Sequence, residues 1–269
     1  MGVKACLNIK KLYGRDVELI NLASLKKEIS MEEKTVAIRF NEILKDELGK
    51  AFPLKPLALE PVFSEKYADS GDKTIFIRNE FFACPKTSGI RMGAMNFAGS
   101  MIVHFGSIQP GTDYDFPVFG FTFAGASKFL IAVLDLHPIA KDKEYTEKYL
   151  APLKSISEKY AWIPKTEGGR SEVHDWAKKY DSGYALYRWC DPQYLPQIEA
   201  AFKDYLQVFC LCIHKAAPLT DAALRTRRDE YLKQYREDYI TYDPGSTPLQ
   251  HHFGLAWSER YLREFLFGA

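Results

Sequence analysis

Between residues 73 and 136 the chain runs through five short segments rich in aromatic and β-branched residues: KTIFIRNEFFAC, GIRMGAMNFA, SMIVHFGSI, PVFGFTFAG and SKFLIAVLDL. Composition of this kind favours strands. Only a few residues, rich in Gly, Pro, Asp and Ser, separate one segment from the next. A parallel neighbour needs a crossover of a dozen or more residues, usually a helix, and these breaks leave no room for one. The segments are therefore predicted to form an antiparallel meander, which excludes a doubly wound parallel sheet.

Helical patterns flank this region. Ser30 and Glu33 have capping-box spacing, and Val36, Ile43, Leu44 and Leu48 follow at nearly helical intervals, predicting a first helix over residues 31–48 after an uncertain extension at 1–29. The three prolines of FPLKPLALEP (52–61) make that stretch an extended crossing segment. After His137-Pro138 one amphipathic helix is predicted over 145–160, then a strand, GYALYRWC, at 183–190. Asp191-Pro192 opens a helix with Ile198, Ala201, Phe202, Tyr205, Phe209 and Cys212 on one face. Thr220 is the expected cap of the next helix, whose apolar stripe is Leu224, Tyr231, Leu232, Tyr235 and Tyr239. Two short helices close the chain around FGLAWSERYLREFLF. So many apolar strand residues require cover on both sheet faces, which predicts a three-layer α/β/α sandwich with a central antiparallel sheet, one domain over residues 1–269.

Composition narrows the function classes. With 36 Lys and Arg against 35 Asp and Glu, no global field draws the protein to nucleic acid or to an anionic membrane, and any charged partner must find a local patch. The 18 Phe, 16 Tyr and 4 Trp suit either a thick core or a pocket for a large flat ligand. Five cysteines at 6, 84, 190, 210 and 212 contain no C-x-x-C, against a disulfide framework, a zinc ribbon or an iron–sulfur cluster. His251 and His252, adjacent on an expected helix, point roughly 100° apart and chelate one metal poorly, so no metal site is expected. G-x-G-x-x-G, Walker A, H-E-x-x-H and G-x-S-x-G motifs are absent, which disfavours a nicotinamide, flavin or hydrolase site. No window reaches the roughly 18 apolar residues of a membrane span, and no membrane insertion is expected.

The tail DPGSTPLQHHFGLAWSERYLREFLF (243–267) resembles the closing segment of ferredoxin-dependent bilin reductases, in which a D-P-x-x-x-x-L run precedes F-G-x-x-W-x-E-R and an L-F ending. DFPVFGFTFAG, FLIAVLDLHPI, EYTEKYLAPLKSI, GYALYRW and IEAAFKDYLQVF are similar to further family segments, so the resemblance spans about residues 50–269. EKYLAPL is more similar to phycoerythrobilin synthase, dihydrobiliverdin reductase and phytochromobilin synthase than to the phycocyanobilin-forming members. The resemblance implies a bilin held between the sheet and the C-terminal helices. It also implies no bound cofactor, with reduced [2Fe-2S] ferredoxin as external electron donor. The protein's task is then to bind the tetrapyrrole and deliver protons. Lacking a recognisable transit segment, the chain fits either a mature plastid-stroma protein or one at work in the cytoplasm of a phototroph or phage-infected cell.

The resemblance also implies site residues. Asp243 matches the carboxylate ahead of the family's final helices, implicated in A-ring reduction; its D-P setting equally suits a cap for a helix beginning at Pro244. His104 aligns with a strand histidine used in proton delivery, or is a core histidine, and strand alternation alone does not choose between them. Where many members carry an aspartate two residues after the strand glycine, this chain has Gly120-Phe121-Thr122, and Asn96 stands near another carboxylate position. A threonine hydroxyl can hydrogen-bond a pyrrole or lactam but is a poor acid. Arg225, Arg228 and Lys233 are candidates to pair with bilin propionates or with acidic ferredoxin. Asp113 and Asp115 read as solvated turn residues and Asp135 as a strand end. The expected function is ferredoxin-dependent reduction of biliverdin IXα or 15,16-dihydrobiliverdin to a phytobilin, at the A-ring. The alternatives are a non-catalytic bilin-binding protein on the same fold, which Thr122 and Asn96 motivate, and a reductase of a chlorophyll catabolite.

Overall fold

In the computed structural model, which describes residues 36–70, 73–165 and 172–268, the strands are β1 (Lys55–Pro56), β2 (Glu65–Ser70), β3 (Lys73–Ala83), β4 (Thr87–Phe97), β5 (Met101–Pro110), β6 (Val118–Ala126), β7 (Leu130–His137) and β8 (Leu186–Cys190). β3 to β8 form one antiparallel run in sequence order, and β1 and β2 both pair with β3 at the far edge. The predicted meander is this central run. Its β4–β5 turn uses two left-handed residues, Ala98 (φ 54°) and Gly99 (φ 79°), and the Asn96 side-chain oxygen fixes it by accepting the Gly99 N–H at 2.8 Å.

The helices are α1 (Phe40–Ala51), α2 (Pro61–Ser64), α3 (Lys143–Tyr145, running into a π turn at Thr146–Leu150), α4 (Leu153–Tyr160), α5 (Leu195–Lys215), α6 (Ala222–Tyr242), α7 (Ser246–Phe253) and α8 (Leu255–Arg260, running into a π turn at Tyr261–Leu266). Strand alternation sorts the sheet into two faces. One carries Phe119, Phe121 and Phe123 of β6 and lies under α1 and α5. The Phe202 ring of α5 sits within 6.0 Å of Phe40, Phe119, Phe121 and Phe123, and Phe40 stacks on Phe123 at 3.7 Å between centroids. Each of these buried rings contributes roughly 1.5–3 kcal/mol by leaving water. The opposite face carries Val103, Phe105, Thr122, Val133, Asp135 and His137 and meets α6, α7 and the segment after α8. The three-layer sandwich follows.

Several boundaries differ from the sequence reading. The first helix begins at Phe40, residues 36–39 are not helical, and the Ser30–Glu33 box lies outside the described residues. The stretch 145–160 is two helical pieces parted at Ala151-Pro152, because Pro152 has no N–H to carry the ladder onward. Asp221, not Thr220, caps α6, its carboxylate accepting the Ala223 N–H at 2.7 Å. Among the described residues, no helix is long and apolar enough to cross a membrane, and no three His, Cys, Asp or Glu side chains are grouped to hold a metal ion.

Candidate active site

Between the second sheet face and the C-terminal helices lies a cavity of about 360 Å³, within the range of roughly 300–1,000 Å³ usual for small-molecule sites. Apolar side chains make most of its wall: Met95, Val103, Phe105 and Val133 from the strands, Leu262, Leu266 and Phe267 from the chain end. The polar groups fall into two clusters.

The first cluster is built on the end of α6. Asp243 follows the last turn, and Pro244, which disfavours helical geometry in the residue before it, stops the helix there. One Asp243 carboxylate oxygen accepts the Gly245 N–H at 2.9 Å, closing a turn into α7, while the group lines the cavity. α7 begins only at Ser246, so the carboxylate braces the turn rather than capping a helix at Pro244. Burial raises the Asp243 pKa, partly offset by the Gly245 N–H and by His174. His174 also lines the cavity, its Nε2 3.5 Å from the Tyr187 hydroxyl. A carboxyl raised in this way is protonated closer to neutrality, as a proton donor must be.

The second cluster stands on β7. Asp135 and His137, two residues apart on a strand, face the same side. Asp135 is 3% exposed and accepts hydrogen bonds from the Ser182 N–H at 2.9 Å, the Ser182 hydroxyl and the Leu136 N–H. Burial raises its pKa, opposed by His137 and Ser182. His137 Nδ1 lies 3.2 Å from the Tyr180 carbonyl and 3.6 Å from an Asp135 oxygen, and Nε2 lies 3.2 Å from the Tyr239 hydroxyl. Tyr239 in turn hydrogen-bonds Tyr235, and burial followed by the charge of Asp243 pushes the Tyr239 hydroxyl well above its ordinary pKa.

The residues expected from the sequence separate. Asp243 and Thr122 line the cavity. His104 does not: it lies on the opposite sheet face, 6% exposed, its Nδ1 accepting the Asn41 N–H of α1 at 3.2 Å, and burial lowers its pKa. It is the core histidine of the two readings. Asn96 is likewise away from the cavity, its side chain spent on the β4–β5 turn. Arg225 and Arg228 also lie away from it. Arg225 donates to the Leu219 carbonyl at 2.8 Å, and Arg228, 6% exposed, donates to the carbonyls of Pro110, Gly111 and Tyr114 at 2.7, 2.8 and 3.2 Å. Arg228 fastens the β5–β6 connection to the helical layer, and Arg225 holds the segment between α5 and α6. Asp113 faces Arg225 at 3.8 Å and Asp115 accepts the Tyr149 hydroxyl at 3.1 Å, so neither reaches the cavity. The sequence reading passed over His137, His174 and Tyr239; for His137 the signal was present as D-x-H on a strand.

The fold and cavity define a protein with a mostly apolar small-molecule site lined by two clusters of proton-bearing groups. The family model of ferredoxin-dependent bilin reductases matches residues 41–268, and the chain belongs to that family. It is an enzyme that reduces a bilin with electrons from ferredoxin. Among its relatives are the 15,16-dihydrobiliverdin:ferredoxin oxidoreductase of Nostoc punctiforme, 30% identical over 230 residues (85% of this chain, 93% of the relative), and the phycoerythrobilin:ferredoxin oxidoreductase of Synechococcus sp. strain RCC307, 26% identical over 258 residues (90% and 96%). The crystal structure of tomato phytochromobilin synthase in complex with biliverdin superposes with a TM-score of 0.76 at 20% identity, covering 85% of this chain and 83% of that one, and shares the fold.

Proposed function

We propose that the chain reduces biliverdin IXα or 15,16-dihydrobiliverdin at the A-ring diene, binding it in the cavity between the sheet and α6–α8, with Asp243 as an acid. Reduction of one double bond takes two electrons, one from each of two reduced [2Fe-2S] ferredoxin molecules, and two protons from the protein. Single-electron delivery passes the conjugated bilin through a radical, and the protein's contribution is to hold the ligand and time the protons. The observation that carries this reading is Asp243: a carboxyl with a raised pKa lining a mostly apolar cavity. Thr122 lines the same wall and offers a hydrogen bond rather than a proton. The proposed setting is the cytoplasm of a phototroph, in keeping with the cyanobacterial relatives.

The test is an anaerobic assay with biliverdin, reduced [2Fe-2S] ferredoxin and the purified protein, read by absorbance and product chromatography and repeated with Asp243→Asn. Asparagine keeps an oxygen for the Gly245 N–H, so bilin binding is expected to persist while turnover falls by about 10²–10⁴. Normal product formation by the variant removes Asp243 from the acid role. Reduction at the 15,16 bond instead would move the site of chemistry away from the A-ring. A stable complex with no conversion of either bilin would favour the binding-protein reading.

A further inference from the structure

We infer that His137 is the second proton donor of this active site, with Tyr239 coupled to its titrating nitrogen and with Asp135 and the Tyr180 carbonyl as its positioning groups. The inference rests on the proposed bilin reduction and supplies the proton that Asp243 alone leaves unaccounted for.

The ring's hydrogen bonds decide which nitrogen can act. Tyr180 presents a carbonyl oxygen to Nδ1 at 3.2 Å, and a carbonyl can only accept. Nδ1 therefore carries a proton in both charge states, and the nitrogen that gains and loses one is Nε2. That nitrogen faces the Tyr239 hydroxyl at 3.2 Å. In the neutral ring Nε2 accepts from Tyr239; in the imidazolium Nε2–H is available to Tyr239 oxygen or to a ligand in the cavity, which both residues line.

The surroundings hold the ring in place. Asp135, with one oxygen 3.6 Å from Nδ1, is held by Ser182, so it cannot swing away from the ring. The other groups facing the ring from α6 are Tyr235 and Tyr239, whose hydroxyl pKa values burial raises well above the ordinary value; neither is a strong acid, and the pair instead forms a hydrogen-bonded path ending at Nε2. Asp181, on the segment that supplies Tyr180, Asp243, beyond Tyr239, and His174 also line the cavity, and Asp238, paired with Lys179 at 2.6 Å, accepts the Tyr180 hydroxyl. Thr122, on the same sheet face as Gly120, cannot act as an acid, and His137 folds its ring over Gly120. The proton count then closes. Two electrons come from two reduced ferredoxins, one proton from Asp243 and one from His137 Nε2. One C=C becomes CH–CH, and solvent reprotonates both donors.

The test compares wild type, His137→Gln and Tyr239→Phe in the anaerobic assay with biliverdin and reduced [2Fe-2S] ferredoxin, with bilin binding followed by absorbance titration. His137→Gln is expected to bind biliverdin within about threefold of wild type, to accept the first electron, and to accumulate a bilin radical detectable by electron paramagnetic resonance. Its product formation should fall by about 10²–10⁴, and its pH–rate profile should lose the limb that wild type shows on deprotonation of an imidazolium. Tyr239→Phe should keep that limb with a smaller rate loss, and it guards against a glutamine variant that folds poorly. Wild-type turnover together with an unchanged rate and pH profile in His137→Gln overturns the role of His137 and leaves the bilin reduction standing. No product from wild type overturns both.

Discussion

Gly120 has no side chain because His137 occupies the space: a Cβ on Gly120 would stand 2.9 Å from Nε2 and 3.2 Å from Cδ2 of the imidazole, and 3.7 Å from the Tyr235 hydroxyl. The ring is tied at both nitrogens, to the Tyr180 carbonyl and to the Tyr239 hydroxyl. It therefore cannot rotate out of the way without losing a bond. Gly120→Ala is expected to cost about 1–3 kcal/mol, as overpacking of a full site does, and to lower single-turnover rate more than bilin affinity. A urea midpoint and a turnover rate both equal to wild type would mean that the ring is free to move.

His104 provides the contrast. It accepts the Asn41 N–H on the helix-covered face, and burial lowers its pKa in the fold. The unfolded chain then takes up the proton more readily than the folded one. The stability that the neutral ring contributes is complete above the unfolded value of about 6.5 and is lost as pH falls from there through the folded value. His104→Gln is expected to flatten this acid limb in denaturant titrations between pH 7 and 5, and to keep turnover within roughly threefold, under 1 kcal/mol of barrier. A loss of turnover as large as that expected for His137→Gln would show that His104 serves the chemistry.

These two histidines show how far the sequence was legible. The meander could be read because the breaks between 73 and 136 are too short for crossovers, and Asp243 because its D-P sits in a recognisable tail. Period-two alternation states which strand residues share a face. It does not state which face holds the cavity when both are apolar, as on β5 with Ile102, Val103, Phe105 and Ile108. His104 and Asn96 were placed at the site by resemblance, which alternation could not check, and they belong to the other face. Arg228 was read as a partner for bilin propionates or ferredoxin; the carbonyls it serves lie more than 110 residues away in sequence, and no local pattern records them. Asp135 and His137 were on the page as D-x-H, but only the register that sets Gly120 beside Asp135 shows what the histidine lies against.

Thr122 lines the cavity. If its hydroxyl binds the ligand without donating a proton in the reaction, ground state and transition state lose the same bond on its removal. Thr122→Val, nearly equal in volume, is then expected to raise the bilin Kd by about threefold to tenfold, corresponding to one ordinary hydrogen bond, and to leave kcat unchanged. A fall in kcat with unchanged affinity would instead make Thr122 part of the proton path.

Arg228 separates a ligand-binding role from a structural one. Its guanidinium, 6% exposed, serves the carbonyls of Pro110, Gly111 and Tyr114 and pairs closely with Asp229, so every part of the fork is engaged at the β5–β6 connection. Lysine offers three donors from one nitrogen and cannot span the same acceptors. Methionine offers none, leaving three carbonyls whose unmet bonds cost about 1–3 kcal/mol each when buried. Stability in urea should therefore fall in the order wild type, Arg228→Lys, Arg228→Met, while the identity of the bilin product stays the same. A tenfold rise in bilin Kd with stability intact would place the guanidinium against a propionate. Loss of stability with binding preserved in the folded fraction would confine it to holding the connection that leads into β6, the strand that carries Gly120 and Thr122.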